Sequence, residues 1–132
     1  MYAKPASSPS PLSTVRIGEL PVDGGAQRWL IEDLWGVSCV GLIGGCPKVG
    51  KSWLGLDMAV SVATGTPCMG AFRVNEPGPV LVYLAEDALP IVRERVAGLA
   101  RQRGIALDGM DLHVITEPAL KLDREPDRSR LV

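Results

Sequence analysis

Histidine is almost missing from this chain: His113 is the single copy in 132 residues, with no cysteine or carboxylate cluster at ligand spacing around it. A histidine-built metal site is therefore not expected, and His113 reads as a core or strand-edge side chain. The three cysteines, Cys39, Cys46 and Cys68, form no C-x-x-C pair, which removes a zinc ribbon and a dithiol redox motif. Their scatter suits a reducing, cytoplasmic setting. No apolar run is long enough to span a bilayer, and the opening residues from Met1 to Pro11 lack the apolar centre of a secretory signal. Neither membrane insertion nor secretion is expected. An excess of one charge is lacking too: 14 basic side chains stand against 15 acidic ones. No overall field would draw the chain to nucleic acid or an anionic membrane, although a local basic patch stays open. There is no internal repeat, and 132 residues with 46% apolar content suit one domain with a modest core.

Glycine, by contrast, is plentiful, and two of the 15 copies stand in Gly45-Cys46-Pro47-Lys48-Val49-Gly50-Lys51-Ser52. This is the G-x-x-x-x-G-K-[ST] spacing that lets successive backbone amides wrap a polyphosphate at the start of a helix. In that geometry Lys51 reaches the β and γ phosphates and the Ser52 hydroxyl ligands Mg²⁺. The flanks fit. Residues 37–43, Val-Ser-Cys-Val-Gly-Leu-Ile, read as a short strand buried on both faces, and residues 53–63 suit a helix of about three turns stopped by Gly65 and Pro67. A turn that merely joins a strand to a helix needs neither Lys51 nor Ser52. Cys46, inside the loop, is where an alkylator could interfere with phosphate binding, or simply a small residue at a variable position.

Residues 1–14 are rich in Pro and Ser and read as a disordered tail, followed by a lead-in over 15–36 in which Trp29 and Trp35 are packing anchors. The core is expected over 37–120, with a charged connector at 121–132. Within the core, Phe72-Arg73-Val74 and residues 80–85 flank the turn signal Asn75-Glu76-Pro77-Gly78, which predicts a small hairpin leading into a second core strand. Residues 88–103 carry a helical stripe at Ile91, Val92, Val96, Leu99 and Ala100, with Asp87 as N-cap, Pro90 in the first turn and Gly104 as the stop. Arg93, Arg95, Arg101 and Arg103 then form a solvated face. Residues 112–116 are a third candidate strand.

The order β, α, β, α, β predicts a parallel sheet with helices on its faces, and ligands of such sheets bind at the carboxyl ends of the strands. Glu86 and Asp87 follow the second strand on that edge. A carboxylate there can orient and deprotonate the water that attacks a γ phosphate. The plainer reading is that both start the next helix, where its dipole favours negative charge. Lys48 is a further loop cation, for the γ phosphate or for solvent.

With these residues in place the chain resembles the RecA-like AAA family ATPases, of the RepA type found in plasmid hexameric replicative helicases. The likeness runs from about Trp29 to Leu122. It rests on residues 45–59, then on Gly65-Thr66-Pro67, Pro77-Gly78-Pro79-Val80 and Tyr83-Leu84-Ala85-Glu86-Asp87. It implies an α/β P-loop NTPase with a RecA-like parallel sheet core and a Walker A loop that holds ATP and Mg²⁺. The implied ATP contacts are Gly45, Cys46, Pro47, Lys48, Val49, Gly50, Lys51, Ser52 and Trp53, with Ser52 on the metal and Glu86 and Lys51 as catalytic residues. It also implies a homo-oligomeric, hexameric ring and action on DNA by the complete protein, with no membrane partner.

One part of the family's pattern is not found. The Walker B strand, an apolar run ending in a metal-directing Asp, follows the third strand in the family, whereas here Lys121 to Val132 is a charged segment. The expectation is an ATPase truncated before Walker B, one that leaves strand edges unpaired in mid-sheet. An alternative takes residues 80–87 as Walker B with Asp87 on Mg²⁺, giving a small P-loop phosphotransferase, and Glu117 is a weaker candidate for that carboxylate. A GTPase is disfavoured, since the lone Asn75 precedes Glu76 and no Asn-Lys-x-Asp motif exists. A motor ATPase, a non-catalytic nucleotide-binding or assembly module, and a phosphotransferase thus remain the three function classes.

Overall fold

Two helices of 14 residues each, α1 (Lys51–Thr64) and α2 (Leu89–Gln102), carry most of the buried surface. The computed structural model describes residues 13–20, 27–115, 121 and 123–129. On α1 the buried positions Leu56, Ala59 and Val60 recur at three- and four-residue spacing, and α2 answers with Val92, Val96, Leu99 and Ala100. Fully burying one such Leu or Val contributes about 1.5–3 kcal/mol. Helix α1 stops at Gly65, whose φ of 72° is the left-handed cap that glycine adopts without a Cβ penalty. Pro90 sits in the first turn of α2, where its missing N–H breaks no helical bond.

Strands β3 (Val80–Val82) and β4 (Leu112–Val114) run parallel, with Val80 opposite Leu112 and Val82 opposite Val114, and α2 is the crossover between them. Helix α1 packs on α2 and on both strands. The resulting core gathers Leu56, Val60, Val92, Val96 and Leu99, flanked by Val82, Leu84, Leu107, Met110, Leu112 and Val114.

A second, smaller cluster lies against Met58 and Val62 of α1. Here β1 (Trp29–Ile31) and β2 (Trp35–Gly36) form an antiparallel pair, and the 73–75 segment runs beside β1 through Glu32 N to Arg73 O at 2.8 Å and Asn75 N to Leu30 O at 2.9 Å. Ile31, Cys68 and Val74 are its buried members. Leu30, Ile31, Leu34 and Trp35 thus pack beside Met58 and Val62 of α1. Short helical turns at Ile17–Glu19 and α3 (Glu125–Arg128) complete the described elements.

Behind α1 a polar clasp joins three segments. The Arg103 guanidinium donates to Asp57 Oδ1 at 2.6 Å and to Ser61 Oγ at 3.2 Å, while Asp57 Oδ2 accepts the Met69 amide at 2.7 Å. Cys68 is fully buried beside it. Burial first, and the Asp57 carboxylate second, push its thiol up to about 11.

Several expectations change. Residues 37–43 form no strand: Val37 and Ser38 lie in a turn, Ser38 with φ 55°, and Val40 and Leu42 are 100% and 93% exposed. A buried strand needs a neighbour for its amides and carbonyls, and none of the described strands lies alongside. The hairpin between 72–74 and 80–85 does not form. Val74 bridges to Ile31 and Phe72 to Cys68, while Gly78 donates to Val62 O at 3.1 Å, so the turn is anchored to α1 instead. Asp87 is not the N-cap of α2; Ala88 holds that position without a side-chain cap, and Asp87 pairs with Arg95. Ile91 is exposed rather than part of the buried stripe. Of the four arginines expected on a solvated face, Arg93 and Arg101 are exposed, whereas Arg95 and Arg103 are partly buried and paired. His113 is exposed on β4, within 2.8 Å of Asp111. Residues 1–12 of the expected tail, Thr116 and Glu117 lie outside the described residues. Among the described residues, no helix is long and apolar enough to cross a membrane.

Candidate functional site

The loop at 45–52 feeds straight into α1, and its backbone explains why the glycines stand where they do. Gly50, the N-cap of α1, has φ 92°, and Lys48 has φ 64°. Gly50 takes that conformation freely, whereas for Lys48 a left-handed backbone costs about 1–2 kcal/mol. A Cβ on Gly45 would come within 3.1 Å of Cγ2 of the exposed Val49, which would have to shift slightly to admit it. The N-terminus of α1 carries no side-chain cap and no acidic residue in its first turn. Its first amides and the positive end of the helix dipole are thus left for an anion.

Lys51 folds back over the loop. Its Nζ donates to Gly45 O at 2.9 Å and to Cys46 O at 2.8 Å. An ammonium held on the carbonyls of the loop lies over the concavity that an anion would enter, and both bonds are exchangeable for phosphate oxygens.

A cleft of about 650 Å³ opens at this point, lined by Pro47, Lys48, Gly50, Lys51, Ser52 and Trp53 on one wall and by Glu86, Asp87 and Arg95 on the other. The parallel arrangement of β3 and β4 is what brings Glu86 here, since it follows the carboxyl end of β3 before α2 begins. Glu86, far from Lys51 and Ser52 in sequence, therefore shares one cavity with them. Gly45, Cys46 and Val49 belong to the same loop without lining that cleft. A larger groove of about 770 Å³ runs from Ile43 and Lys51 along β3 and is mostly apolar; it carries no carboxylate. Lys51 and Ser52 line both, whereas Glu86 and Asp87 line the smaller cleft.

Sequence reasoning missed Arg95. Its Nη1 donates to Asp87 Oδ2 at 2.8 Å, and its guanidinium carbon sits 5.5 Å from the centre of the Trp53 ring. The signal existed: Arg95 is three residues past Val92 and four before Leu99, at the border of the buried stripe.

The residues present fit a nucleoside triphosphate with Mg²⁺. The loop offers an uncapped helix start and two lysines, and the opposite wall offers two carboxylates facing a hydroxyl.

No curated protein and no solved structure matches the chain. A family model described as an AAA domain matches residues 6–130, nearly the whole length, and the protein belongs to that family of P-loop ATPase-like, nucleotide-binding domains.

Proposed function

We propose that this protein binds ATP with Mg²⁺ in the cleft between the 45–52 loop and Glu86, using that loop as a Walker A motif. The observation that carries the reading is the placement of Lys51: its ammonium rests on the carbonyls of Gly45 and Cys46 at the uncapped start of α1, across the cleft from Glu86. On binding, Lys51 leaves those carbonyls for the β and γ phosphates, the loop amides from Lys48 to Ser52 donate to phosphate oxygens, and Ser52 offers its hydroxyl to the metal. Mg²⁺, when bound, neutralises charge on the phosphates and polarises the terminal phosphoryl group. Glu86 accepts a hydrogen bond from the attacking water and takes its proton.

The finer reading is a RecA-like core of the RepA type, acting in DNA unwinding or replication as a ring. On this reading residues 37–43, with Val40 and Leu42 exposed, lead into the loop, and an apolar groove runs along β3 beside it. A second reading is a non-catalytic nucleotide-binding or assembly module, which the exposed Val40 and Leu42 favour as a surface for a partner.

Equilibrium binding and phosphate release, measured with Glu86→Gln, test the assignment. The variant binds Mg-ATP like the parent and loses any hydrolysis by about 10²-fold or more. Loss of binding and hydrolysis to the same degree would make Glu86 structural instead.

A further inference from the structure

Arg95 is the one cation of the cleft that comes from α2 rather than from the loop, and it is held from two sides. Asp87 takes one of its N–H groups at 2.8 Å, and Trp53 faces the guanidinium at 5.5 Å. The pair with Asp87 is partly buried, with side chains 25% and 20% exposed. A guanidinium carries five N–H donors in a planar fork suited to phosphate oxygens. The bond to Asp87 uses one and the Trp53 ring, 5.5 Å away, accepts no conventional hydrogen bond, so other donors stay available to a second acceptor. Trp53 belongs to the first turn of α1, directly after Ser52, which ties the position of Arg95 to the loop itself.

Geometry also says which part of a ligand Arg95 would meet. Glu86, Asp87 and Arg95 line the same cleft as the loop, so a polyphosphate seated on the loop amides would reach Arg95 with its terminal group. A terminal phosphoryl group carries more negative charge than the carboxylate of Asp87 and offers two oxygens to the fork.

Resting on the ATP-binding reading above, we propose that Arg95 is the residue by which the cleft tells a triphosphate from a diphosphate. Asp87 and Trp53 hold its guanidinium in place in the empty cleft, and the terminal phosphate of a bound triphosphate displaces Asp87. Trp53 stays beside the guanidinium through the exchange, so the movement is a change of partner and not a swing of the whole side chain. The same exchange releases the Asp87 carboxylate next to Glu86, which links occupancy by a triphosphate to the charge on the catalytic wall.

Calorimetric titration of the full chain with Mg-ATP and with Mg-ADP tests this, using the parent, Arg95→Ala, Asp87→Asn and Lys51→Ala. Arg95→Ala loses about tenfold or more in ATP affinity, the equivalent of one charge-assisted hydrogen bond, while ADP affinity stays close to that of the parent. Asp87→Asn, which removes the competing carboxylate, binds ATP more tightly than the parent does and leaves ADP unchanged. The second variant keeps the test decisive should Arg95→Ala fail to fold. Equal losses for ATP and ADP in Arg95→Ala, or weaker ATP binding in Asp87→Asn, would overturn the proposal. A parent that binds neither nucleotide overturns this inference together with the ATP reading. Binding that Lys51→Ala abolishes and Arg95→Ala leaves intact overturns this inference alone.

Discussion

Arg103, just past the end of α2, reaches Asp57 in the middle of α1 with a 2.6 Å hydrogen bond, and the two side chains are only 12% and 15% exposed. This ion pair locks the two long helices together at the end remote from the cleft. Arg103 Nη1 is buried without a hydrogen-bond partner of its own, so the pair is not fully compensated. Arg103→Ala nonetheless leaves the Asp57 carboxylate buried without a cation, with the Met69 amide, the Cys68 thiol and the solvent that enters the gap. It is expected to lower stability by about 3 kcal/mol, measured as a shift of the urea midpoint with an unchanged slope. A double-mutant cycle with Asp57→Ala should give a coupling of about 1 kcal/mol or more. Simple additivity of the two variants would show that the clasp contributes nothing as a pair.

The thiol of Cys68 links the same region to pH. Its folded value of about 11 lies above the ordinary 9.0, so the unfolded chain loses this proton first as pH rises. The stabilisation is therefore fully present below about pH 9 and declines through about pH 11, by an amount on the order of 2 kcal/mol. Urea unfolding of the parent and of Cys68→Ser between pH 8 and pH 10.5 checks this. The parent should weaken with pH more steeply than the variant, and parallel slopes would contradict the assignment.

Thiol chemistry also reports on the loop. Cys39 and Cys46 are exposed and Cys68 is buried. Under native conditions an alkylating reagent should modify the first two and spare the third until the chain unfolds. Mg-ATP at saturation should then slow modification of Cys46, which lies inside the 45–52 loop, while Cys39 reacts at its original rate. Mass spectrometry of the labelled peptides separates the two. Equal protection of both, or of neither, would place the nucleotide elsewhere.

The parts of the fold legible in the sequence are those fixed by local chemistry. Helix α1 ends at Gly65, and α2 follows its stripe of Val92, Val96, Leu99 and Ala100 with Pro90 at its start, because caps and periodicity act within a turn or two. The pairing of 80–82 with 112–114 follows from strands separated by a helix. Residues 37–43 have a strand's composition yet join no ladder, since a ladder depends on a neighbour that local sequence does not specify. The apparent hairpin around Asn75 to Gly78 is drawn to β1 and α1 by contacts equally remote in sequence.

That Lys51, Ser52 and Glu86 line one cleft is legible in the sequence, because a motif and a strand end both point to one edge. The arginines of α2 were not, because composition alone suggested a solvated face. Their spacing held the answer. Arg103 is eleven residues from Val92 and seven from Val96, in register with the buried stripe, and Arg95 borders it, whereas Arg93 and Arg101 point away. A cation in register with a buried stripe needs an inward partner, and Asp57 and Asp87 are those partners.

Thermal unfolding of the chain with and without Mg-ATP, beside Lys51→Ala, tests the central claim most directly. A ligand that binds only the folded state at a hundredfold excess over its Kd adds roughly 2.7 kcal/mol of stability. The account predicts one cooperative transition that rises with Mg-ATP in the parent and stays fixed in Lys51→Ala. A transition indifferent to Mg-ATP in the parent, or equally raised in both proteins, would contradict nucleotide binding by the 45–52 loop.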